Sequence, residues 1–163
     1  AIRALSKPNF ASSEVNFRIK LNLGYVYFQE GRLDECRAIL GSITPASKYE
    51  DLHKEHLHAK LLAQTASTTE ALEAYDQLIE DSTDHLQPSH RLMLFLEVVP
   101  LLRRHGQTSA IRVFASRFYK DLERLEMNRT TRALRDDVLN AATRGVLREG
   151  LELEHQRTLV QDV

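Results

Sequence analysis

The amino-acid sequence predicts an all-α protein made of antiparallel helix hairpins. No stretch of the chain shows the period-two alternation of apolar and polar residues that is typical of a half-buried strand. Apolar residues instead recur at three- and four-residue steps, which is the pattern of a helix with one buried face. Short turn-forming segments separate these stretches, so neighbouring helices are expected to run antiparallel.

The register of the first hairpin comes from residues 23–40. Leu23, Tyr27 and Phe28 lie one helical turn apart and predict an apolar stripe that needs a partner surface. Gly24 lets a second helix come close, and Gly31 suits the left-handed residue that ends a helix. The stripe restarts on a second helix at Leu33, Cys36 and Leu40.

Capping patterns place the first four helices. Ser12 or Ser13 can cap a helix that runs to about residue 30, and residues 32–43 form its partner. A Ser followed three residues later by Glu is a capping box. Ser47 with Glu50 and Ser67 with Glu70 therefore open helices over 48–65 and 68–80.

Three further helices are predicted in the second half. Pro88 suits the first turn of a helix over 88–105, which is apolar nearly all round. Pro100 lies inside it and predicts a bend there, and the alternative is a helix that ends near Val99 and restarts. Residues 107–126 predict one amphipathic helix. Asn128 can cap a last, long helix that starts at about 129.

This pattern resembles the tetratricopeptide (TPR) repeat. The residues that match the family's spacing are Leu23, Gly24, Tyr27, Gly31, Leu33, Cys36 and Leu40, although Lys20 stands where the family has its first aromatic residue. A second copy follows at an offset of 35 residues, at Ala59, Leu62, Ala71, Tyr75 and Leu78. A looser third copy contains Leu102, Gly106, Ile111 and Phe118. The family's repeat is about 34 residues long. The resemblance implies a right-handed superhelix of antiparallel helix hairpins with about seven helices.

The family lines a concave groove with the first helix of each repeat, and this implies a set of candidate partner-binding residues. They are Arg18, Leu21, Tyr25, Phe28 and Gln29 from the first repeat, His53, His56, Lys60 and Gln64 from the second, and Arg103 and Arg104 from the third. Aromatic, basic and amide groups together suit an extended peptide or a partner helix of acidic character. Tyr25 and Phe28 could equally well pack against the neighbouring helix.

The predicted organisation is a loose lead-in over 1–11, a TPR-like domain over 12–148 and a projecting helix end over 149–163. Leu139, Val146, Leu153 and Val160 lie seven residues apart on this last helix, but Glu149 and Gln156 at the companion positions are polar, so a full coiled-coil seam is not made. A homodimer through this helix is a candidate assembly. Because the chain begins with Ala1 and not Met, we expect it to be a processed or excised fragment of a longer protein.

Composition sets limits on the function. At 163 residues and a net charge of −1, the chain offers no electrostatic case for binding nucleic acid or an anionic membrane. No apolar run approaches the roughly 20 residues of a membrane span, and no signal peptide is visible. A single cysteine, Cys36, excludes a disulfide framework, and we expect it to be a small buried residue and not a reactive thiol. A cytoplasmic location follows as an expectation.

The sequence contains no motif for catalysis, so we predict that the protein is not an enzyme and needs no cofactor. Nucleophile elbows, phosphate-binding glycine loops and dinucleotide fingerprints are all missing. His53, Glu55, His56 and His58 form the one suggestive cluster, but a helical zinc site usually has ligands four residues apart and a third group. A metal enzyme at these histidines is therefore the less favoured alternative to solvated or groove-lining side chains.

Two functions remain from the sequence. The first is a protein–protein interaction scaffold that binds a peptide or partner helix in its groove. The alternative is a sensory or regulatory domain of a larger bacterial signalling protein, because a TPR-like domain followed by a projecting helix is similar in layout to the N-terminal half of diguanylate cyclases with a GGDEF output domain.

Overall fold

The computed structural model describes residues 10–144, and every regular element in that range is a helix. No strand occurs within these residues, which confirms the predicted all-α class. The helices, numbered in chain order, are α1 Phe10–Gln29, α2 Leu33–Ser42, α3 Lys48–Thr65, α4 Thr68–Asp81, α5 Pro88–Arg104, α6 Ala110–Ser116, α7 Tyr119–Arg124 and α8 over 129–144.

Most predicted boundaries are confirmed to within two residues, and the caps explain why. Ser47 accepts a hydrogen bond from the Glu50 backbone N–H at 3.1 Å, and Ser67 does the same for Glu70 at 3.2 Å. Asn128 Oδ1 accepts from the backbone N–H groups of Thr130 and Thr131, both at 3.0 Å. Each of these side chains satisfies a backbone donor at a helix start that has no partner within the helix.

The first helix starts earlier than predicted, since α1 begins at Phe10. Ser12 and Ser13 therefore stand within the helix and not at its N-cap position. Residues 10–13 contain neither proline nor glycine, so nothing in the local sequence stops the helix from extending beyond the predicted start. Residues 1–9, which make up most of the predicted lead-in, lie outside the described residues. So do residues 145–163, which include the predicted projecting end over 149–163.

The single helix predicted over 107–126 is wrong, because the chain forms the two short helices α6 and α7 there. Between them, the backbone N–H groups of Arg117 and Phe118 donate to the carbonyls three residues earlier, at 3.1 and 3.0 Å. Phe118 ends this tighter winding, and its side chain is fully buried. Apolar spacing alone could not show this break, because Phe118 fits a continuous helix equally well. By contrast, α5 continues through Pro100, as predicted, and the alternative of a helix that ends near Val99 and restarts is wrong.

The contacts divide the chain into two compact units, with the boundary between Asp81 and Ser82. The first unit contains α1 to α4 and the second contains α5 to α8. Each is described by itself below.

The first unit consists of two helix hairpins. α1 packs on α2 and α3 packs on α4, and the short links force both pairs to be antiparallel. α3 also contacts both helices of the first hairpin. The core that joins the hairpins is made of apolar side chains from α1, α2 and α3 together with the residue after α2, namely Phe17, Leu21, Cys36, Leu40, Ile43, Leu57 and Leu61.

Two glycines of the first hairpin have the roles predicted for them. A Cβ on Gly24 would lie 2.9 Å from Leu57 Cδ2, so the bare backbone at this position permits the close approach of α3. Gly31 has φ 74°, in the left-handed region. Its N–H bonds to the Phe28 carbonyl and the following N–H, of Arg32, bonds to the Tyr27 carbonyl, which is the double hydrogen bond of a Schellman helix end.

Five pairs of residues that stand 35 apart in the two hairpins share the same degree of burial. Four such pairs are buried in both hairpins, namely Gly24 with Ala59, Cys36 with Ala71, Leu40 with Tyr75 and Ile43 with Leu78. A fifth pair, Tyr27 with Leu62, is half-buried in both. The offset found in the sequence thus corresponds to a repeated pattern of burial in the structure.

The second unit has an aromatic core. The rings of Phe95, Phe114 and Phe118 lie with centroids 5.2–5.6 Å apart, which is the usual separation for packed aromatic pairs. Beside them, α5 carries the buried side chain of Arg91, whose Cζ lies 5.5 Å from the centroid of the Phe118 ring. α5 contacts both α6 and α7, so these short helices pack on one long one.

Candidate functional site

The first unit contains a cleft of about 570 Å³ between α1 and the first half of α3. Its apolar side chains include Phe17 and Leu21, both of which also belong to the core of the unit. The remaining lining residues are mostly polar or aromatic, namely Ser13, Glu14, Arg18, Asn22, Tyr25, Ala46, Ser47, Tyr49, Glu50 and His53. An apolar base with a polar rim is the usual composition of a surface that binds a ligand or peptide.

The aromatic side of this cleft is formed by Tyr49 and His53, one helical turn apart on α3. Their ring centroids are 4.3 Å apart with an interplanar angle of 65°, an edge-to-face arrangement. Tyr49 is 56% exposed, so most of its ring is available to a partner. On α1, Tyr25 is half-buried and packs against the core with its inner edge.

The charged groups in the cleft are already engaged. Arg18 Nη2 donates to Glu14 Oε1 at 3.0 Å, an exposed pair one turn apart on α1. The Glu50 carboxylate accepts from the Ala46 backbone N–H at 3.0 Å and completes the capping box at the start of α3. The cleft therefore presents aromatic and amide chemistry more than net charge.

The environment of His53 in the cleft shifts the pKa of its imidazole. Burial lowers the pKa of its imidazole, and the nearby His56 lowers that pKa further. Because the ordinary value is already below 7, His53 is a neutral imidazole at neutral pH. It offers hydrogen bonding and a flat ring surface to a ligand, and no positive charge.

The structure brings together four of the predicted groove residues, Arg18, Leu21, Tyr25 and His53, of which Leu21 is buried in the core. Further along the same two helices, Lys60 Nζ lies 5.8 Å from the centroid of the Phe28 ring, within the range of a cation–π contact. Phe28 itself is half-buried against the core. The packing role considered for Tyr25 and Phe28 is therefore present, and both rings keep an exposed part.

His56 lies elsewhere. Its side chain is buried, and its ring faces that of Tyr75 on α4 at a centroid distance of 6.4 Å. The structure thus places it inside the second hairpin, where a partner in the cleft could not contact it without a rearrangement. A step of three residues turns His56 by about 60° from His53, and this is enough to carry it from the cleft to the α4 side.

The other predicted groove residues are exposed but do not line the cleft. Gln29 is the last residue of α1, and Gln64 lies in the last turn of α3. Arg103 and Arg104 are exposed in the last turn of α5 and belong to the second unit.

Sequence reasoning missed Tyr49, which contributes the most exposed ring of the cleft. A signal for it was present, because Tyr49 lies four residues before His53 and so shares its helical face. It was overlooked because the repeat mapping starts the groove face at His53.

Cys36 is fully buried in the core, and burial raises the pKa of its thiol. Within residues 10–144, no three His, Cys, Asp or Glu side chains come together in a way that could hold a metal ion. In the same part of the chain, no helix combines the length and the apolar character needed to cross a membrane.

Comparisons of the chain with protein-family models, with curated proteins and with solved structures found no match. The cleft and the repeated hairpins are therefore the features that bear on the function of the protein.

Proposed function

We propose that the protein is a TPR-like interaction module that binds an extended peptide or a partner helix along α1 and α3. The observation that carries this proposal is the cleft of about 570 Å³ in which Arg18, Tyr25 and His53 converge with Tyr49 over an apolar base. Exposed aromatic rings provide contact area at a low entropic cost, since they have few rotatable bonds. The proposed role of the cleft is binding without catalysis.

The partner proposed from the sequence has acidic character, and the cation that supports this is Lys60. Its ammonium lies over the Phe28 ring, further along α1 and α3 than the cleft. A carboxylate on the partner could pair with Lys60 while an apolar side chain enters the cleft beside Tyr25. Arg18 would contribute once its exposed pair with Glu14 opens, which has a small cost because exposed pairs contribute about 0–1 kcal/mol.

The test is a selection of binding peptides from a displayed random library, followed by calorimetry with the selected peptides. The Tyr25→Ala/Lys60→Ala variant should bind them at least tenfold more weakly than the unaltered chain. A matched control is Tyr119→Ala/Lys120→Ala, which removes an exposed Tyr and Lys from the second unit and should bind as the unaltered chain does. Equal binding by the cleft variant, or no selected peptide, would contradict the proposal.

A second candidate is the regulatory domain of a larger signalling protein, with assembly as a homodimer through the C-terminal helix. The observation that favours it is Leu139, which is 41% exposed on α8 and starts the series of apolar residues spaced seven apart. An exposed leucine at the start of such a series is typical of a helix that pairs with another. The natural gene sequence beyond codon 163 tests this candidate, and an immediate stop codon would reject it.

A further inference from the structure

A partner peptide can enter the cleft between α1 and α3 as a helix or as an extended chain, and the two forms offer different groups to a binding surface. A helix satisfies its own backbone hydrogen bonds and presents mainly side chains. An extended chain also presents backbone carbonyls that have no partner within the peptide. The lining of the cleft therefore indicates which form it accepts.

The apolar base of the cleft is too small and too deep for a docked helix. A helix in a groove inserts apolar anchors over about two turns, at steps such as i, i+3 or i+4 and i+7. The base offers Phe17 and Leu21, which lie one turn apart on α1 and are only 7% and 8% exposed. Little apolar surface remains there for the face of a partner helix to cover.

The accessible part of the lining combines aromatic rings with hydrogen-bond donors. On the α3 side, the exposed ring of Tyr49 meets that of His53 at an angle of 65°, so the two present an angular aromatic surface. Tyr25 lines the α1 side and is half-buried. Asn22 and Tyr49 are exposed, and their amide and hydroxyl groups can donate to peptide carbonyls. Rings and carbonyls are thus what this lining can bind.

The charges of the cleft disfavour a phosphorylated segment and a chain-terminal carboxylate. Recognition of phosphate uses a cluster of arginines, whereas the lining contains Arg18, which is paired with Glu14 at 3.0 Å. Glu14 and Glu50 would both repel a terminal carboxylate. Addition of a strand needs the edge of a sheet, and residues 10–144 contain no strand that could provide one.

A polyproline II segment has the groups that this lining can bind. Its backbone makes no internal hydrogen bonds, so its carbonyls are available to side-chain donors. Its proline rings dock in aromatic-lined grooves, and the chain is extended before it binds, so little conformational entropy is lost. The α1 side of the cleft extends from Ser13 to Tyr25, about 18 Å of helix, which is the length of about six residues of polyproline II.

We propose that the cleft binds a proline-rich segment in the polyproline II conformation. Tyr25 and Tyr49 hold its rings from the two sides, and the side chain of Asn22 donates to its backbone. The inference rests on the proposed function of the cleft and narrows the partner to one backbone form. A carboxylate that pairs with Lys60 would lie outside the proline-rich segment, because Lys60 is further along α3 than the cleft.

The probe is a decamer of proline with both termini blocked, which carries no charge and forms polyproline II in water. Nuclear magnetic resonance titration of the isotope-labelled chain should show saturable shift changes on the cleft residues of α1 and α3. The control probe is a blocked decamer of alternating glycine and serine, which is also uncharged but flexible. It should produce no saturable change.

One substitution connects the probe to the cleft. Tyr49→Ala should weaken binding of the proline decamer about tenfold or more, as expected for the loss of an aromatic anchor. Because Tyr49 is exposed, helix content by circular dichroism should not change. Tyr119→Ala is the matched control, since it removes an exposed tyrosine of the second unit and should bind as the unaltered chain does. The inference is overturned if the proline decamer does not bind, if both decamers bind equally, or if Tyr49→Ala has no effect.

The peptides selected from the random library separate this inference from the proposed function. Proline-rich peptides that bind the cleft and lose affinity with Tyr49→Ala would support both. Peptides that bind the cleft as helices, or that contain no proline, would reject the polyproline II segment and leave the interaction module standing. If the selection yields no peptide and the proline decamer does not bind, both proposals are wrong.

Discussion

Arg91 and Asp121 form a buried ion pair that joins α5 to α7 across 30 residues of sequence. Arg91 Nε donates to Asp121 Oδ1 at 3.0 Å, and Arg91 Nη1 donates to Ser82 Oγ at 2.6 Å. Both charged side chains are almost completely buried. Arg91 thus connects Ser82 at the start of the second unit, its own helix α5 and the short helix α7.

Removing one partner of this pair should strongly destabilise the second unit. Asp121→Ala leaves the Arg91 guanidinium buried without its carboxylate, and breaking a buried pair in this way typically costs about 3–5 kcal/mol. Denaturant unfolding followed by circular dichroism measures the loss. Glu123→Ala is the control, because Glu123 is exposed two residues away. A loss below about 1 kcal/mol for Asp121→Ala, the range of exposed pairs, would contradict the buried geometry.

Two glycine substitutions in the first unit should change stability in opposite directions. Gly24→Ala places a methyl group 2.9 Å from Leu57 Cδ2 and 3.1 Å from Ile39 Cγ2. Overpacking of this kind costs about 1–3 kcal/mol, which exceeds the gain of about 1 kcal/mol from the better helix propensity of alanine. We expect a net loss of about 1 kcal/mol.

Gly41→Ala is the matched control, because no atom lies within 4 Å of a Cβ at that position in α2. It should be neutral or stabilise the fold by up to about 1 kcal/mol through helix propensity. Thermal unfolding of the two variants compares them directly. If both stabilise the protein equally, α3 does not approach α1 as closely as the structure shows.

His53 should make the stability of the first unit depend on pH. Folding lowers its pKa, so in the window below about 6.5 the unfolded chain binds more protons than the folded one. The stabilising contribution is therefore fully present above that unfolded pKa and is lost as the pH falls through the lower folded pKa.

The measurement is denaturant unfolding at several pH values between 5 and 8, compared with His53→Gln. The variant should lose part of the decrease in stability at acid pH. His58→Gln is the control, since His58 is exposed on the same helix. If His53→Gln and the unaltered chain show the same slope, the imidazole is not buried as described.

Local patterns in the sequence predicted the helices well, because the caps are local. The boundaries of α3 and α4 follow from Ser47 and Ser67, whose hydroxyls satisfy the first backbone donors whatever the tertiary structure is. The break between α6 and α7 could not be predicted, because the spacing of Ile111, Phe114 and Phe118 also fits one continuous helix. Nor could the partnership of Arg91 with Asp121 be read from positions 30 residues apart.

The same distinction applies to the candidate site. The repeat resemblance brought Arg18, Tyr25 and His53 to one surface, because it fixes which helical face each hairpin presents. The resemblance gave no information on how deeply each side chain is buried. The predicted set therefore also included His56, which is buried on the α4 side. The sequence placed Leu23 in the packed stripe of α1 with Tyr27 and Phe28, but Leu23 is 37% exposed, and only the two aromatic residues pack against the core.

The most direct test of the proposed cleft is a nuclear magnetic resonance titration of the isotope-labelled chain with a peptide obtained by the selection described above. The account predicts chemical-shift changes concentrated on residues of α1 and α3, above all Arg18, Tyr25, Tyr49 and His53. Changes concentrated in the second unit, or on the opposite side of α3 around His58, would contradict the account.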